Sequence, residues 1–281
     1  MKTIRIVGLM LLLSFFAGGA FAASDAPSLK QVWETPKELM VPESVFYDAD
    51  RHVLYVSNIA GKPTEKNGQG FIAQVNLDGT IKTLKWVTGI NAPKGMGVHK
   101  GTLYVTDIDR IHAIDIASGK IKKTWDVDGA KFLNDIAIDS KGTVYITDMY
   151  TNKVDIIRNE KVELFLALEQ TKPNGLLMHD GALLVGTAEG LYSIQPETKT
   201  VTQLIELAGG IDGLKSLGSG KFIVSDWQGK TQIIEHGKQP VVLLDTTKDK
   251  INAADLEFIP EKRWILIPTF FDNRVVAYQL K

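Results

Sequence analysis

A unit of roughly 40 residues recurs six times along the chain, and this repeat restricts the possible folds more than any other feature. Each unit contains a β-rich run bounded by Gly, Asp or Asn, and the copies occupy residues 52–58, 101–107, 142–148, 181–187, 220–226 and 263–269. A second short apolar run precedes each copy, and these runs begin at Glu43, Lys94, Asn134, Asn174, Asp212 and Ala254. The steps between those first residues are 51, 40, 40, 38 and 42, which predicts a repeat of like modules.

The units continue with two further strand-like runs, which in the third unit are residues 154–158 and 162–166. Four short antiparallel strands in about 40 residues are typical of a propeller blade. A helical bundle would require long stretches with a 3.6-residue period, and a β-sandwich would not require a constant step. The sequence therefore predicts an all-β, six-bladed β-propeller with four antiparallel strands in each blade.

The two ends of the chain predict how the ring closes. The last unit stops at its third strand, residues 274–280, and a spare strand-like run, residues 29–35, precedes the first unit. We predict that this N-terminal strand completes the last blade, because the pairing would cover an otherwise open sheet edge. The alternative is a loose N-terminal arm.

The first residues have the pattern of a signal peptide. Lys2 and Arg5 precede an apolar run over residues 6–16, and Ala20-Phe21-Ala22 matches a small-x-small cleavage site. We therefore expect residues 1–22 to be a signal peptide and residues 23–281 to form a single propeller domain that is periplasmic or secreted. The alternative is an uncleaved membrane anchor.

Charge and composition exclude several classes of function. The formal net charge of -1 provides no electrostatic reason to expect a nucleic-acid partner or, after signal removal, a membrane partner. The absence of cysteine excludes disulfides and thiolate catalysis. The run over residues 217–222 lacks the first glycine of a phosphate-binding loop, where Lys215 stands, so no nucleotide is expected. The remaining partner class is a small-molecule substrate.

The repeat itself indicates a candidate site. In a propeller the innermost strands line the central channel, and the first residue of each strand lies at one mouth. Five of these positions carry side chains that strands disfavour, namely Glu43, Lys94, Asn134, Asn174 and Asp212. Charges in a narrow channel require partners or a cation. Carboxylate and amide oxygens predict a divalent cation, with Ca²⁺ first and Mg²⁺, Mn²⁺ or Zn²⁺ as alternatives.

At these positions the chain resembles the senescence marker protein/gluconolactonase family of six-bladed propellers, over residues 43–280. The matching runs are Pro-Glu-Ser at Glu43, Pro-Asn-Gly at Asn174 and Ile-Asp-Gly at Asp212. The resemblance implies that these three residues bind one divalent metal. It also implies that Asn134 and its neighbour Asp135 contribute to substrate binding.

The resemblance further implies a metal-dependent hydrolase that opens a lactone or a similar small ester. Asp212 or Glu43 would then activate water, with metal-bound water as the other candidate nucleophile, while Asn134 and Lys94 orient the substrate oxygens. The alternative is a non-catalytic propeller that binds a peptide, glycan or protein at the same mouth. Lys94 favours that alternative, as does Phe132, which stands where the better-studied lactonases carry an arginine.

Structural roles are the alternatives for several of these residues. Asn174 and Asp212 precede glycines and could be turn residues. Lys94 could form a salt bridge with Glu43 in the channel, and Asn134 could bond the next blade.

Other polar and aromatic residues occupy the strand ends and loops near the predicted mouth. We expect the acidic residues that follow the second strand to bond backbone at the blade corners, namely Asp107, Asp148 and Asp226. Four aromatic residues in mouth loops could line a substrate pocket or pack between blades, namely Tyr150, Trp227, Phe270 and Phe271. The long loop over residues 59–70 should overhang the mouth.

Overall fold

Six four-stranded antiparallel sheets form the protein, and they confirm the predicted six-bladed propeller. The computed structural model describes residues 26–281, so the predicted signal peptide at residues 1–22 lies outside the described residues. Within residues 26–281 no helix combines the length and the apolar character that crossing a membrane would require.

The strands run outward from the channel in chain order. Blade one contains β2 (Pro42–Asp48), β3 (Val53–Asn58), β4 (Gly70–Val75) and β5 (Ile81–Ile90). Blade two contains β6 (Pro93–His99), β7 (Thr102–Asp107), β8 (Arg110–Asp115) and β9 (Lys120–Asp126). Blade three contains β10 (Leu133–Ile138), β11 (Val144–Asp148), β12 (Lys153–Arg158) and β13 (Lys161–Ala167).

Blades four and five follow the same order, whereas in blade six the N-terminal strand takes the outermost place. Blade four contains β14 (Leu176–His179), β15 (Ala182–Thr187), β16 (Gly190–Ile194) and β17 (Val201–Glu206). Blade five contains β18 (Leu214–Gly218), β19 (Lys221–Ser225), β20 (Lys230–Glu235) and β21 (Val241–Asp245). Blade six contains β22 (Glu257–Ile259), β23 (Trp264–Pro268), β24 (Val275–Leu280) and the N-terminal β1 (Leu29–Glu34). Three short 3₁₀ turns occupy Thr247–Asp249, Pro260–Lys262 and Phe270–Asp272.

Burial along the strands reflects how the blades stack. The second strand of blade one, β3, is buried at every residue, because neighbouring blades cover both faces of its sheet. The outermost strand of blade two, β9, instead alternates exposed and partly buried residues, as expected where one face meets solvent. The core consists of apolar side chains from adjacent sheets, such as Tyr55 and Ile72 of blade one with Leu103 and Ile114 of blade two.

The ring closes through the N-terminal strand, as predicted. β1 pairs antiparallel with β24, from Leu29 opposite Leu280 to Glu34 opposite Val276. Trp33 of β1 packs edge-on against Trp264 of β23 with ring centroids 6.3 Å apart. The pairing converts an open edge of blade six into a complete sheet, so the first and last segments stabilise each other.

Removal of β1 should destabilise the whole ring. We compare a chain lacking residues 23–35 with a control lacking only residues 23–28. We expect the first deletion to cost about 2 kcal/mol or more, which lowers Tm by roughly 5 °C for a chain of this size. Differential scanning calorimetry measures the effect. Equal Tm values for the two chains would contradict a closing role for β1.

Candidate functional site

A β-bulge positions each predicted site residue of the first three blades. The register between the first and second strands shifts between Pro42 and Val45, between Pro93 and Met96, and between Leu133 and Ile136. Two residues of the innermost strand therefore oppose one residue of the second strand, and the first of the two is Glu43, Lys94 or Asn134. A bulge of this kind turns a side chain away from the regular pleat, which here directs the polar group toward the channel mouth.

Blades four and five repeat this two-against-one arrangement just before their innermost strands begin. The Asn174 N–H donates to the Gly186 carbonyl at 2.8 Å, and the Gly186 N–H donates to the Gly175 carbonyl at 2.8 Å. In blade five the Asp212 N–H donates to the Ser225 carbonyl at 2.8 Å. The structure therefore brings five predicted positions into equivalent places, while Ala254 of blade six is a buried apolar residue.

Hydroxyl groups opposite the bulges connect neighbouring blades. Thr147 Oγ1 accepts the Asp135 N–H at 3.0 Å and donates to the Asn174 carbonyl of blade four at 3.0 Å. Ser225 Oγ likewise accepts the Gly213 N–H at 2.9 Å and donates to the Ala254 carbonyl of blade six at 2.7 Å. Each hydroxyl accepts the N–H that the bulge leaves unpaired. It also binds the backbone carbonyl of the equivalent position in the next blade.

The glycines after Asn174 and Asp212 serve close blade contacts. A Cβ on Gly175 would lie 2.4 Å from the Asp212 carbonyl oxygen, and one on Gly213 would lie 2.4 Å from the Leu256 nitrogen. Neither glycine has a positive φ, so the left-handed turn that Asn-Gly and Asp-Gly pairs often form is absent at these positions. The glycines are needed because the innermost strands of adjacent blades nearly touch.

The acidic residues after the second strands bond backbone, which confirms their predicted structural role. Asp107 accepts the Asn91 N–H at 3.0 Å and the Ala92 N–H at 2.8 Å. Asp148 accepts the N–H groups of two residues that precede Asn134, those of Lys131 at 2.8 Å and Phe132 at 3.1 Å. In blade five, Asp226 accepts the N–H groups of Gly229 and Lys230 in its own loop at 2.9 and 3.0 Å. These carboxylates fix the loops from which site residues project.

A cavity of about 640 Å³ opens at this mouth, a volume within the range of small-molecule sites. Glu43, Lys94, Asn134, Asn174 and Asp212 all line it. The long loop after β3 contributes Pro63 and Thr64, so it overhangs the mouth as predicted. An ion pair between Lys66 and Asp109 fastens this loop to blade two, as does the Gly68 N–H, which donates to Asn91 Oδ1 at 3.2 Å.

We call the five polar lining residues Glu43, Lys94, Asn134, Asn174 and Asp212 the cavity floor. Three of their oxygen-bearing side chains fit a cation. Asn174 Nδ2 donates to Asp212 Oδ1 at 2.8 Å, which leaves the amide oxygen of Asn174 as an acceptor. Asn174 Oδ1 and Glu43 Oε2 are buried and have no hydrogen-bond partner among the described residues. Buried acceptors without donors are costly, and a hard cation would satisfy them. Within residues 26–281 no group of three or more His, Cys, Asp or Glu side chains could hold a metal ion, so the set depends on the Asn174 amide.

The carboxylates of the floor repel one another. Burial raises the pKa of Asp212 to about 8, and the nearby Asp255 adds to the increase while the bond from Asn174 opposes it. Burial likewise raises the pKa of Glu43 well above its usual value, with contributions from Asp212 and Asp255. Positive charge bound between Glu43 and Asp212 would relieve this repulsion.

Lys94 brings a positive charge to the same floor without forming the predicted salt bridge. The side chain is 1% exposed, and Nζ donates to the Ala92 carbonyl at 2.9 Å. Nζ also lies 4.5 Å from the centroid of the Phe132 ring, a cation–π distance. Among the described residues no ion pair joins Lys94 to Glu43. Burial lowers the pKa of Lys94 to about 8, and the negative charge of Glu43 opposes this decrease. The remaining N–H groups of Lys94 can reach a ligand in the cavity.

The two members of the Asn134-Asp135 pair have different positions. Asn134 lines the cavity, and its side-chain amide has no hydrogen bond to another group within residues 26–281, so the predicted bond to the next blade is not found. Asp135 lies outside the cavity lining, and its carboxylate accepts the N–H groups of Leu176 at 2.6 Å and Ile136 at 2.7 Å. The structure therefore offers Asn134 to a ligand and uses Asp135 to join blades three and four.

A second charged cluster lies along the innermost strands, and sequence reasoning missed it. Lys215 Nζ lies 3.7 Å from Glu257, and both Asp255 and Asp135 act on it electrostatically. Burial alone would lower the pKa of Lys215, but these three carboxylates raise it above its usual value. Asp255 Oδ2 also accepts a bond from Ser44 Oγ at 2.5 Å. Charged residues inside otherwise apolar strand runs were the available signal.

Loss of a bridging hydroxyl should destabilise the site. Thr147→Val removes the group that connects Asp135 to Asn174 and leaves a buried N–H and carbonyl unpaired, at a cost of about 2 kcal/mol. Thr202→Val, on the exposed outer strand β17, is the matched control. Urea denaturation compares the two variants. Equal free energies of unfolding would show that the hydroxyl contributes nothing.

Loss of the buried cation should have a pH-dependent cost. Lys215→Met leaves Glu257, Asp255 and Asp135 without a counter-ion, so we expect a loss of about 3 kcal/mol at pH 8. Because burial already raises the pKa of Asp255 to about 6, its protonation as pH falls through that value restores part of the stability. Denaturation of wild type and variant from pH 8 to pH 5 tests this. If the stability lost in Lys215→Met stays constant or grows as pH falls, Lys215 is not the counter-ion of these carboxylates.

Comparison with known proteins finds a sequence relative and solved structures with a similar fold. No protein-family model matches the chain. It is 28% identical over 244 residues to Protein STRICTOSIDINE SYNTHASE-LIKE 12 of Arabidopsis thaliana, a match that covers 81% of this chain. The chain spans 66% of that relative's length.

Solved structures with a similar fold include two lyases. A streptogramin B lyase matches with a TM-score of 0.66 at 12% identity, covering 91% of this chain and 98% of the lyase. A catalytically inactive variant of virginiamycin B lyase from Staphylococcus aureus, solved with quinupristin, matches with a TM-score of 0.63 at 15% identity, covering 91% of this chain and 100% of that chain. At these identities the two solved structures show a shared fold with this chain.

Proposed function

We propose that this protein is an exported, divalent-metal-dependent hydrolase of the gluconolactonase type that opens a lactone or a similar small ester. The observation that carries the proposal is a pair of buried oxygens, Glu43 Oε2 and Asn174 Oδ1, that have no hydrogen-bond partner within residues 26–281 and lie on a cavity floor that also contains Asp212. Export rests on the predicted signal peptide at residues 1–22.

Glu43, Asn174 and Asp212 would hold the cation. Two carboxylates and one amide supply hard oxygen donors, and Ca²⁺ is the first candidate among Ca²⁺, Mg²⁺, Mn²⁺ and Zn²⁺. When bound, such an ion polarises a substrate carbonyl and stabilises negative charge on its oxygen. The bulges of blades one and five and the backbone of blade four preset the donors, so little reorganisation opposes binding.

The remaining chemistry belongs to side chains on the floor. Asp212 or Glu43 accepts a proton from water as the water oxygen forms a bond to the carbonyl carbon. The ring carbon–oxygen bond then breaks, and the proton passes to the departing oxygen, which leaves a hydroxy acid. The Asn134 amide and the Lys94 ammonium, whose donors face the cavity, orient the substrate oxygens.

A second candidate is a non-catalytic propeller that binds a peptide, glycan or protein at this mouth. Lys94 favours it, because an ammonium group whose charge acts on Glu43 offsets part of the negative charge that would attract a metal. In that case the floor would bind a ligand through fixed hydrogen bonds, and no turnover would follow.

Removal of one predicted metal ligand should abolish metal binding and activity together. We expect Asp212→Ala to lower kcat/KM on a lactone by about 100-fold or more, since it removes both a donor and a candidate base. Asp50→Ala, in an exposed turn of blade one, is the control. Metal content by mass spectrometry and lactone hydrolysis with and without EDTA provide the measurements.

Each outcome separates the two candidates. Bound metal together with turnover that EDTA abolishes supports the hydrolase. A purified protein with no metal and no turnover supports the binder. An Asp212→Ala protein that retains both metal and turnover would refute the ligand assignment.

A further inference from the structure

Three aromatic side chains from two neighbouring blades form one apolar surface beside the cavity: Trp227 and Phe270 line the cavity, and Phe271 packs against both of them. We name Trp227, Phe270 and Phe271 the aromatic rim. The Trp227 ring centroid lies 5.5 Å from that of Phe270 and 6.1 Å from that of Phe271, and all contacts are edge-on. Phe270 is 3% exposed and supports the surface from below, while Trp227 and Phe271 are 44% and 61% exposed. Exposed aromatic surface beside a cavity is typical of ligand contact.

The rim is held in place before any ligand arrives. Asp226 accepts the N–H groups of Gly229 and Lys230 and so fixes the loop that carries Trp227. Asn252 Nδ2 donates to the Trp227 carbonyl at 2.8 Å. Phe270 adopts φ of 50°, a costly conformation for a bulky residue that the surrounding contacts maintain. A preorganised surface of this kind binds with little loss of entropy.

The aromatic pair of blade three, Phe132 and Tyr150, is already in contact with a charged group. In blade three, Phe132 and Tyr150 pack with ring centroids 4.5 Å apart. The Lys94 ammonium already interacts with the Phe132 ring. Tyr150 also lines the cavity and is 56% exposed, but it carries a phenolic hydroxyl and belongs to this occupied pair. The aromatic surface that is not already paired with a charged group therefore lies at Trp227, on the side of blades five and six.

The polar and apolar groups of the cavity lining come from different parts of the blades. The floor residues Glu43, Lys94, Asn134, Asn174 and Asp212 lie on or just before the innermost strands. The walls are loop residues that are mainly apolar and include Ile59, Met149, Ala188 and Ile211, with Thr64 and Lys172 as polar members. A polyhydroxylated ring would leave several hydroxyl groups against these walls without partners. A ligand with one polar end and one apolar end satisfies both regions.

We propose that the aromatic rim is a subsite for an aromatic or other apolar substituent, so that the pocket selects apolar lactones or esters over polyhydroxylated ones. The reaction named here rests on the proposed function, but binding at the rim does not. Trp227 is the residue of the aromatic rim that determines this specificity, because it is the member of the three that both lines the cavity and exposes its ring.

Binding is tested with ring ketones that cannot be hydrolysed. The probes are 3-phenylcyclopentanone and unsubstituted cyclopentanone, with Kd measured by ligand-observed NMR titration. We expect the phenyl group to lower Kd about tenfold or more. Trp227→Ala should remove most of that gain, whereas Trp227→Phe should keep most of it. Leu164→Ala, which removes an equally exposed apolar side chain from outer strand β13, is the matched control.

Two results would overturn the subsite. One is equal Kd values for the two ketones with wild type, and the other is an unchanged phenyl preference in a folded Trp227→Ala protein. Thermal melting by circular dichroism verifies folding, which the half-exposed position of Trp227 leads us to expect.

Turnover separates this proposal from the proposed function. We compare kcat/KM for γ-phenyl-γ-butyrolactone and glucono-δ-lactone, and expect the phenyl lactone to be preferred in wild type but not in Trp227→Ala. Phenyl-dependent binding at Trp227 with neither lactone hydrolysed would support the subsite and refute the hydrolase. Preferred hydrolysis of the sugar lactone, with no phenyl effect on binding, would support the hydrolase and refute the subsite.

Discussion

The close contact between the innermost strands of adjacent blades is the constraint on which the site depends. Where Gly175 and Gly213 stand, the next blade leaves no room for a Cβ. At this spacing one hydroxyl, such as that of Thr147, can satisfy a bulge in its own blade and reach the backbone of the next. The site residues therefore occupy equivalent positions because the ring is closed and tightly packed, and a looser ring would lose both features.

The bulges explain how a strand can carry a functional side chain at its end. A regular pleat would alternate Glu43 and Ser44 between opposite faces of the sheet, whereas the extra residue allows Glu43 to line the cavity and Ser44 to bond Asp255 of blade six. One irregularity thus serves ligand contact and blade contact together. The same division separates Asn134, on the cavity, from Asp135, between blades.

The charged residues along the channel form two groups that differ in their counter-ions. Among the inner strands, Lys215 provides positive charge to Glu257, Asp255 and Asp135, so that cluster has its own cation. At the mouth, Lys94 is directed toward Phe132 and the Ala92 carbonyl, and Glu43 Oε2 has no hydrogen-bond donor in the part of the chain that the structure describes. Charge without a counter-ion therefore lines the same cavity as Trp227 and Phe270, whose rings would exclude water from a bound ligand.

The sequence alone determined the architecture, because a repeat of constant length with four strands per unit is a local, periodic signal. It also determined the closure at residues 29–35 and the convergence of Glu43, Lys94, Asn134, Asn174 and Asp212, since equal sectors of a ring bring equivalent positions together. Only the tertiary structure decided which side chains face the cavity. The separation of Asn134 from Asp135, the contact of Lys94 with Phe132 and the counter-ion role of Lys215 depend on bulge geometry and on contacts between blades. Those contacts join residues about 40 positions apart or more, and no local pattern records their orientation.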